Sequence, residues 1–489
     1  LHGNDFKRLY LQKSDFEISS KLILNTLPFY CIYDTITLLG AVEVCHLNDS
    51  LSKADCMTLD YLRKPGLVLA EKLITYAVRK KNGETLAFVP SPSLALAPRL
   101  NSLPIGLYLH IPFCEELCPY CSFNRVEFDR VLAQRYFEAL RKEIQMYRDL
   151  GYDFSTVYVG GGTPTILIEE LAKTIELVRS MYQVTEISIE TSPAHLIAKN
   201  IALLKQMGVN RLSVGVQTFN DNLLKLLKRY HKYGSGEEIA ERLKHVQGIF
   251  QTLNIDMIFN LPTQTLAMLE QDLETILRLN LDQITYYPLM SSSSNQQLLS
   301  KNFGVCIDQG RLRSFYDTVI MMLAQHYQAS TAWCFSKHRT AIDEYAVHHD
   351  EYAGLGSGAI GHIGNSAYAN TFDIETYIQQ VLKGVLPLAA KKDFSVRERL
   401  CYDFLLELFC LHLDVNSLQA KHGVNIYTHL WPELLFFWLF NGLRKRGNSI
   451  SLTKTGRYYW FLMMKEFFTS VNNFRDYCRA QIAGSRDPG

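Results

Sequence analysis

Short β-rich runs at 106–111, 155–159, 186–190, 211–216, 254–259 and 283–288 alternate with segments of helical periodicity, such as 132–150 and 168–181. Short apolar runs bounded by loops form strands, and apolar residues spaced three and four apart form amphipathic helices. Regular alternation of the two restricts the chain severely. Strands joined through a helix lie parallel, in one sheet covered by helices, and this is an α/β architecture. Six such units are too few to close an eight-stranded barrel. In parallel barrels reactive residues collect at the C-terminal strand ends, and the motifs of this chain fall there.

The first run leads into His110-Ile111-Pro112-Phe113-Cys114-Glu115-Glu116-Leu117-Cys118-Pro119-Tyr120-Cys121, a Cys-x3-Cys-x2-Cys loop. Three thiolates on one loop can hold three irons of a 4Fe–4S cluster and leave the fourth open to a small molecule. A structural zinc site would want a fourth ligand, for which only His110 stands near, and disulfide pairing is the other reading of the spacing. After the second run comes Gly160-Gly161-Gly162-Thr163-Pro164, where consecutive glycines permit close backbone approach to a ligand or simply a tight turn. Glu190 ends the third run, as a functional carboxylate or as a helix cap. Gln217 follows the fourth run, and Arg229 lies further on beside Lys228, where a solvated helix charge is the plainer reading. Asp256 stands inside the apolar fifth run, a costly place for an unpaired carboxylate.

These motifs, with the flanking Leu107-Tyr108-Leu109-His110-Ile111-Pro112-Phe113-Cys114, resemble the radical S-adenosylmethionine (SAM) superfamily, in its oxygen-independent coproporphyrinogen III oxidase-like (HemN/HemW-like) family. The likeness runs from about Gly106 to Pro288 and more weakly onward. It implies a partial, six-stranded parallel β/α barrel, open on one side for substrate. It further implies that Cys114, Cys118 and Cys121 ligate the cluster, whose open iron SAM chelates. Gly161, Gly162 and Thr163 match the motif that meets the SAM amino group, and Glu190, Gln217 and Arg229 match SAM contacts. Asp256 is placed by the likeness near the adenosyl group or a second ligand, Tyr108 against the methionine portion and Tyr120 over the adenine. Departures are Ser192, where relatives carry Asp or Asn, and Asn260, where Gly is common. Glu351-Tyr352-Ala353-Gly354-Leu355-Gly356-Ser357-Gly358 resembles a glycine-rich segment of the family, which admits a flat substrate or makes a packed turn.

At 489 residues two or three domains are the prior. The segmentation expected is an N-terminal α/β extension over 1–100, the barrel core over 101–292, a family-specific extension over 293–392 and a helical, winged-helix-like domain over 393–489. A Pro/Ser-rich connection near 90–104 separates the first two, after a strand-like run at 36–44 and a helix-like one at 61–78. Fifty basic against 49 acidic residues leave a net charge of +1, which makes no electrostatic case for nucleic acid or anionic membrane. No apolar run reaches membrane-spanning length, and Asp5, Lys7 and Arg8 interrupt any secretory signal. Eleven cysteines, single outside the cluster loop, suit a reducing cytoplasm.

Three functions remain open. One is an enzyme that cleaves SAM to a 5′-deoxyadenosyl radical and acts on a tetrapyrrole, drawing electrons from a low-potential donor such as flavodoxin or ferredoxin. Another is a class C methyltransferase using two SAM molecules to methylate a quinone or heteroaromatic carbon. The third is a haem chaperone. Coproporphyrinogen oxidases carry a further Cys two positions after the third, where this chain has Phe123; the haem-carrying relatives share its Cys-Pro-Tyr-Cys, polar residue, Phe pattern.

Overall fold

The computed structural model describes residues 65–85, 89–90, 95–99, 103–303, 310–338 and 351–485. The strand-like run at 36–44 lies outside them. The helix read at 61–78 is α1 (Pro65–Thr85).

All six predicted strands form, as β1 (Ile105–Ile111), β2 (Phe154–Gly161), β3 (Glu186–Thr191), β4 (Arg211–Gln217), β5 (Thr252–Phe259) and β6 (Gln283–Pro288). Each pairs parallel with the next. Residues on both faces of the strands are buried, as helices on either side of a parallel sheet require. The intervening helices include α2 (Arg130–Asp149), α3 (Ile168–Met181), α4 (Ala198–Gln206), α5 (Gly236–Val246) and α6 (Leu266–Leu279). Asp129 accepts from Leu132 N to start α2, Ser235 and Glu238 form a capping box on α5, and Thr265 caps α6.

The parallel run does not stop at six strands. After α7 (Ser293–Phe303) and α8 (Leu312–Leu323), β7 (Cys334–Ser336) joins β6 antiparallel. Then β8 (Tyr352–Leu355), part of the glycine-rich segment, returns to lie parallel beside β1 as a seventh strand. β9 (Ile360–Ile363), β10 (Ser366–Asn370) and β11 (Leu388–Asp393) extend the edge antiparallel, with α9 (Ile374–Leu382) between the last two. Val89–Pro90, in the segment read as a linker, pairs with β11. Among the described residues the result is one 13-stranded mixed sheet around a parallel centre.

The C-terminal region is mainly helical: α10 (Val396–Phe409), α11 (Val415–His422), α12 (Trp431–Leu439) and α13 (Lys454–Ser485). A three-stranded antiparallel sheet of β12 (His412–Asp414), β13 (Leu443–Arg446) and β14 (Ser449–Leu452) accompanies them. Phe461 of α13 stacks 4.2 Å from Tyr316 of α8 and 5.8 Å from Phe259 of β5, which ties this region to the sheet. No helix among the described residues is long and apolar enough to cross a membrane.

Candidate functional site

Strand register gathers the motifs at one end of the sheet. His110 faces Gly160 across β1 and β2, Glu190 faces Ser213 across β3 and β4, and Gly215 faces Asp256 across β4 and β5. The cysteine loop closes over this end. Phe113–Cys114 pairs parallel with Val126–Glu127, and Phe128 N donates to Cys114 O at 2.8 Å, so the loop is pinched at its base. Arg125 Nη2 donates to the carbonyls of Cys118 and Cys121, both at 2.6 Å, which bends the loop around one guanidinium. All three thiols are unpaired and line the cleft. Burial, and then the neighbouring Cys121, push the Cys114 thiol up to about 11, so it needs a cation to become the thiolate that ligates metal.

His110 is committed elsewhere. Burial lowers its pKa to about 4, which leaves it neutral. Its Nε2–H donates to Asn124 O at 2.8 Å, and its Nδ1 accepts from Tyr108 OH at 2.8 Å, the tautomer following from the carbonyl partner. With both nitrogens used, His110 is unsuited as the fourth ligand of a zinc site. Among the described residues no three His, Cys, Asp or Glu side chains converge on a single metal ion.

The glycine turn backs onto the loop. Gly162 N donates to Ile111 O and Thr163 N to Phe113 O, each at 2.8 Å. A Cβ on Gly162 would stand 2.5 Å from Phe113 O and 3.0 Å from Cys114 Sγ. Gly161, Gly162 and Thr163 all face the cleft. Glu190 accepts from Tyr158 OH at 2.9 Å and from Gly161 N at 3.1 Å. Burial, with the Asp256 charge beside it, raises its carboxyl to about 7 against those two bonds. Asp256 accepts from Ser213 Oγ at 2.7 Å and Asn254 Nδ2 at 2.8 Å, the pairing that a carboxylate inside a strand requires.

Arg229, read in isolation as a surface charge, is buried. It donates to Tyr120 OH at 3.2 Å and to Cys118 Sγ at 3.5 Å, and to Gly215 O, and it lies 4.5 Å over the Tyr233 ring. Gln217 ends β4 at a bulge with φ +78°, an uncommon conformation for a non-glycine residue. Asn260 takes the turn where relatives carry Gly by adopting φ +60°, and its Oδ1 accepts from Arg311 Nε at 2.9 Å, so that turn is kept.

Tyr120, Glu190, Gln217, Arg229 and Asp256 therefore share one cleft with the cysteines. Tyr108 is not among the lining residues but stands on the same face of the sheet: its register partner Tyr158, whose ring is 6.1 Å away, donates to Glu190, and the Tyr108 hydroxyl donates to His110 Nδ1. The glycine-rich segment is also absent from the lining and makes a packed turn. Asn124 Nδ2 donates to Ser357 O at 3.2 Å, Ser357 N to Tyr136 OH at 2.9 Å, and Tyr136 OH to His110 O at 2.7 Å. A Cβ on Gly358, at φ +73°, would sit 2.5 Å from Asn124.

The cleft encloses about 1140 Å³ between its walls when its open mouth is counted. Around it Ser192 Oγ, Gln217 Oε1 and Arg229 Nε are buried with no protein partner, so the walls retain donors and acceptors for a polar ligand. Three thiols, a close-approach glycine turn and these unsatisfied atoms fit an iron–sulfur cluster with an amino-acid-bearing ligand. The sequence reading missed Arg125, Lys232 and the residues that α13 contributes, Phe468, Asn472 and Arg475. Arg125 was findable as a cation inside the cysteine loop; nothing local marks the others.

Residues 108–276 match the family described as the Radical SAM superfamily, which defines the class of protein. The chain is 31% identical over 368 residues to the "Heme chaperone HemW" of Bacillus subtilis, covering 72% of this chain and 95% of that protein. It is 28% identical over 402 residues to the "Oxygen-independent coproporphyrinogen III oxidase" of Salmonella typhimurium, covering 76% and 86%. The solved coproporphyrinogen III oxidase HemN of Escherichia coli superposes with a TM-score of 0.66 at 24% identity, over 79% of this chain and 95% of that one, and so shares the fold. The chain belongs to the HemN/HemW family of radical SAM proteins, a membership that implies a 4Fe–4S cluster and SAM.

Proposed function

We propose that this protein binds a 4Fe–4S cluster through Cys114, Cys118 and Cys121, cleaves SAM reductively in the adjoining cleft, and acts on a tetrapyrrole. The observation that carries the reading is the convergence of the three thiols with Glu190, Gln217, Arg229 and Asp256 in one cleft. When bound, cluster and SAM supply one-electron reduction and a 5′-deoxyadenosyl radical, with electrons from a low-potential donor such as flavodoxin or ferredoxin.

The chain's own residues bind and orient. The Gly161–Gly162 turn presents backbone close to the cleft, Arg229 and Gln217 supply donors and an acceptor to an amino-acid moiety, and Glu190 accepts from its ammonium. A carboxyl that burial raises to about 7 is ionised by such a cationic partner. The tetrapyrrole comes from the names of the relatives, which are those of a coproporphyrinogen oxidase and a haem chaperone. Those names give methyl transfer no support.

Haem carriage is the second reading, favoured by Phe123 standing where the oxidases have a further cysteine. Anaerobically reconstituted protein given dithionite and SAM separates the two. Release of 5′-deoxyadenosine, lost in Cys114→Ala, Cys118→Ala and Cys121→Ala together with the visible iron–thiolate absorbance, supports the enzyme. Stoichiometric haem binding without SAM cleavage supports the carrier. Protein that stays free of iron after reconstitution refutes both.

A further inference from the structure

The cleft has an outer wall that no motif announces. Phe468, Asn472 and Arg475, spaced four and three apart on one face of α13, all line it. Facing them, at or just beyond the ends of β5 and β6, stand Ile258, Leu289 and Met290.

Helix α13 is fastened to the cysteine loop and to the end of the sheet. Asn472 Nδ2 donates to Met290 O at 2.6 Å, and Ser293 N donates to Asn473 Oδ1 at 2.8 Å. Arg479 pairs with Asp476 and donates to Phe123 O. The Arg475 guanidinium lies 4.5 Å from the centre of the Phe123 ring, and its Nη1 donates to Asn472 Oδ1 at 2.9 Å. A guanidinium held over an aromatic face keeps a planar fork of N–H donors, a geometry that suits a carboxylate.

The charges in the cleft are divided by position. Arg125 and Arg229 hold the cysteine loop, and Lys232 pairs with Glu115 at 3.5 Å. Arg475 comes from α13, over the Phe123 ring and beside Asn472. The outer cleft is therefore an apolar and aromatic slot with a cation set on one side. A flat macrocycle bearing carboxylate arms matches it: its ring packs on Phe468, Leu289 and Met290, and one arm reaches a guanidinium of fixed orientation.

We propose that α13 forms the tetrapyrrole-binding wall of the cleft and that Arg475, held on Phe123, anchors a carboxylate of the macrocycle. This rests on the tetrapyrrole reading above and deepens it by assigning recognition to the C-terminal helix. In this role Phe123, which replaces a cysteine of the oxidases, is the platform that fixes the anchor.

The test uses reconstituted full-length protein with coproporphyrin III and haem, each as free acid and as methyl ester, followed by porphyrin fluorescence or Soret absorbance. Esterification removes the carboxylate charge and leaves the ring. Wild type is expected to bind at least one free acid about tenfold or more tightly than its ester, the scale of a charge-assisted hydrogen bond. Arg475→Ala is expected to lose that discrimination while still binding the ester, and Arg475→Lys to keep part of it. Equal binding of acid and ester by wild type overturns the anchor and leaves the tetrapyrrole reading standing, a comparison that needs no variant to fold. Discrimination that survives in Arg475→Ala also overturns it. Binding of neither form by wild type overturns the tetrapyrrole reading and this inference together.

Discussion

Glu143 of α2 sits behind the cysteine loop with no solvent exposure, and its environment makes a quantitative prediction. Its carboxyl accepts from Gly356 N at 2.9 Å, Tyr377 OH at 2.6 Å and Asn370 Nδ2 at 3.0 Å. Burial nevertheless raises it to about 7 from an ordinary 4.5, since three neutral donors do not replace the hydration of a full charge. The folded state thus holds this proton at pH values where the unfolded chain has released it. Between these two values the native state binds more protons, so stability falls as pH rises. The contribution is complete below about 4.5 and is lost as pH passes 7. A displacement of this size corresponds to about 3 kcal/mol.

Glu143→Gln removes the titration and keeps the shape. The amide oxygen can still accept from Gly356 and Tyr377, while its NH2 meets the donor of Asn370, at a cost of about 1–2 kcal/mol. Below pH 5 the variant is therefore expected to melt slightly lower than wild type. As pH rises to 9 the difference shrinks and reverses, because only wild type loses the protonation contribution. At about 2.1 cal/mol/K per residue over 489 residues, 3 kcal/mol moves the melting temperature by about 3 °C. Calorimetry of both proteins from pH 5 to 9 reads the difference, in which Glu190 and Asp272, also raised to about 7, cancel. Parallel curves across that range would refute a Glu143 held protonated by burial.

Three further outcomes test the site and its surroundings. Gly162→Ala places a Cβ 2.5 Å from Phe113 O, so iron content after reconstitution should fall well below wild type with unchanged far-ultraviolet dichroism; full iron loading would show that the turn yields. Glu190→Gln should weaken SAM binding about tenfold by equilibrium dialysis at normal iron content, the scale of one charge-assisted bond, and an unchanged affinity would remove Glu190 from the ligand's contacts. Asp403 accepts from Arg399 at 3.1 Å, Lys421 at 2.9 Å and His422 at 2.8 Å; burial works to raise its carboxyl, but Lys421 and Arg399 hold it below the usual range. Its contribution is present above an ordinary carboxylate pKa and lost in acid, so Asp403→Asn should cost about 3 kcal/mol in urea at pH 7 and progressively less toward pH 3.

What the sequence revealed follows from how locally each feature is encoded. The six central strands were legible within about two residues because each is a short apolar run ending in a motif, as 254–259 against Thr252–Phe259 shows. The seventh parallel strand was not. Tyr352-Ala353-Gly354-Leu355 is short and glycine-bearing, and its partner β1 lies far back in the chain, so no local signal existed. Tyr108 lies on the face that carries Glu190 and Asp256, as alternation along β1 and the parallel register require, and its hydroxyl is held by His110 two residues on. Arg229 shows the reverse, a residue whose local setting suggests solvent and whose burial depends on the turn after β4 meeting the cysteine loop.

The cysteine loop explains why sequence likeness reaches beyond the strands that carry the motifs. Apart from the two-residue pairing at its base the loop has little regular structure, and a loop alone does not hold three sulfurs in fixed relation. Behind it, His110 and Asn124 are bonded through Tyr136 and Ser357 to the turn that Glu143 fixes. In front, Arg125 gathers its carbonyls, Asn295 of α7 donates to Cys121 O at 3.1 Å, and Arg479 of α13 donates to Phe123 O. Three elements distant in the chain thus grip one loop, and displacing any of them moves the thiols. The glycine-rich turn and α13 therefore bear on the geometry of the thiols although both lie far from the cysteines in the chain.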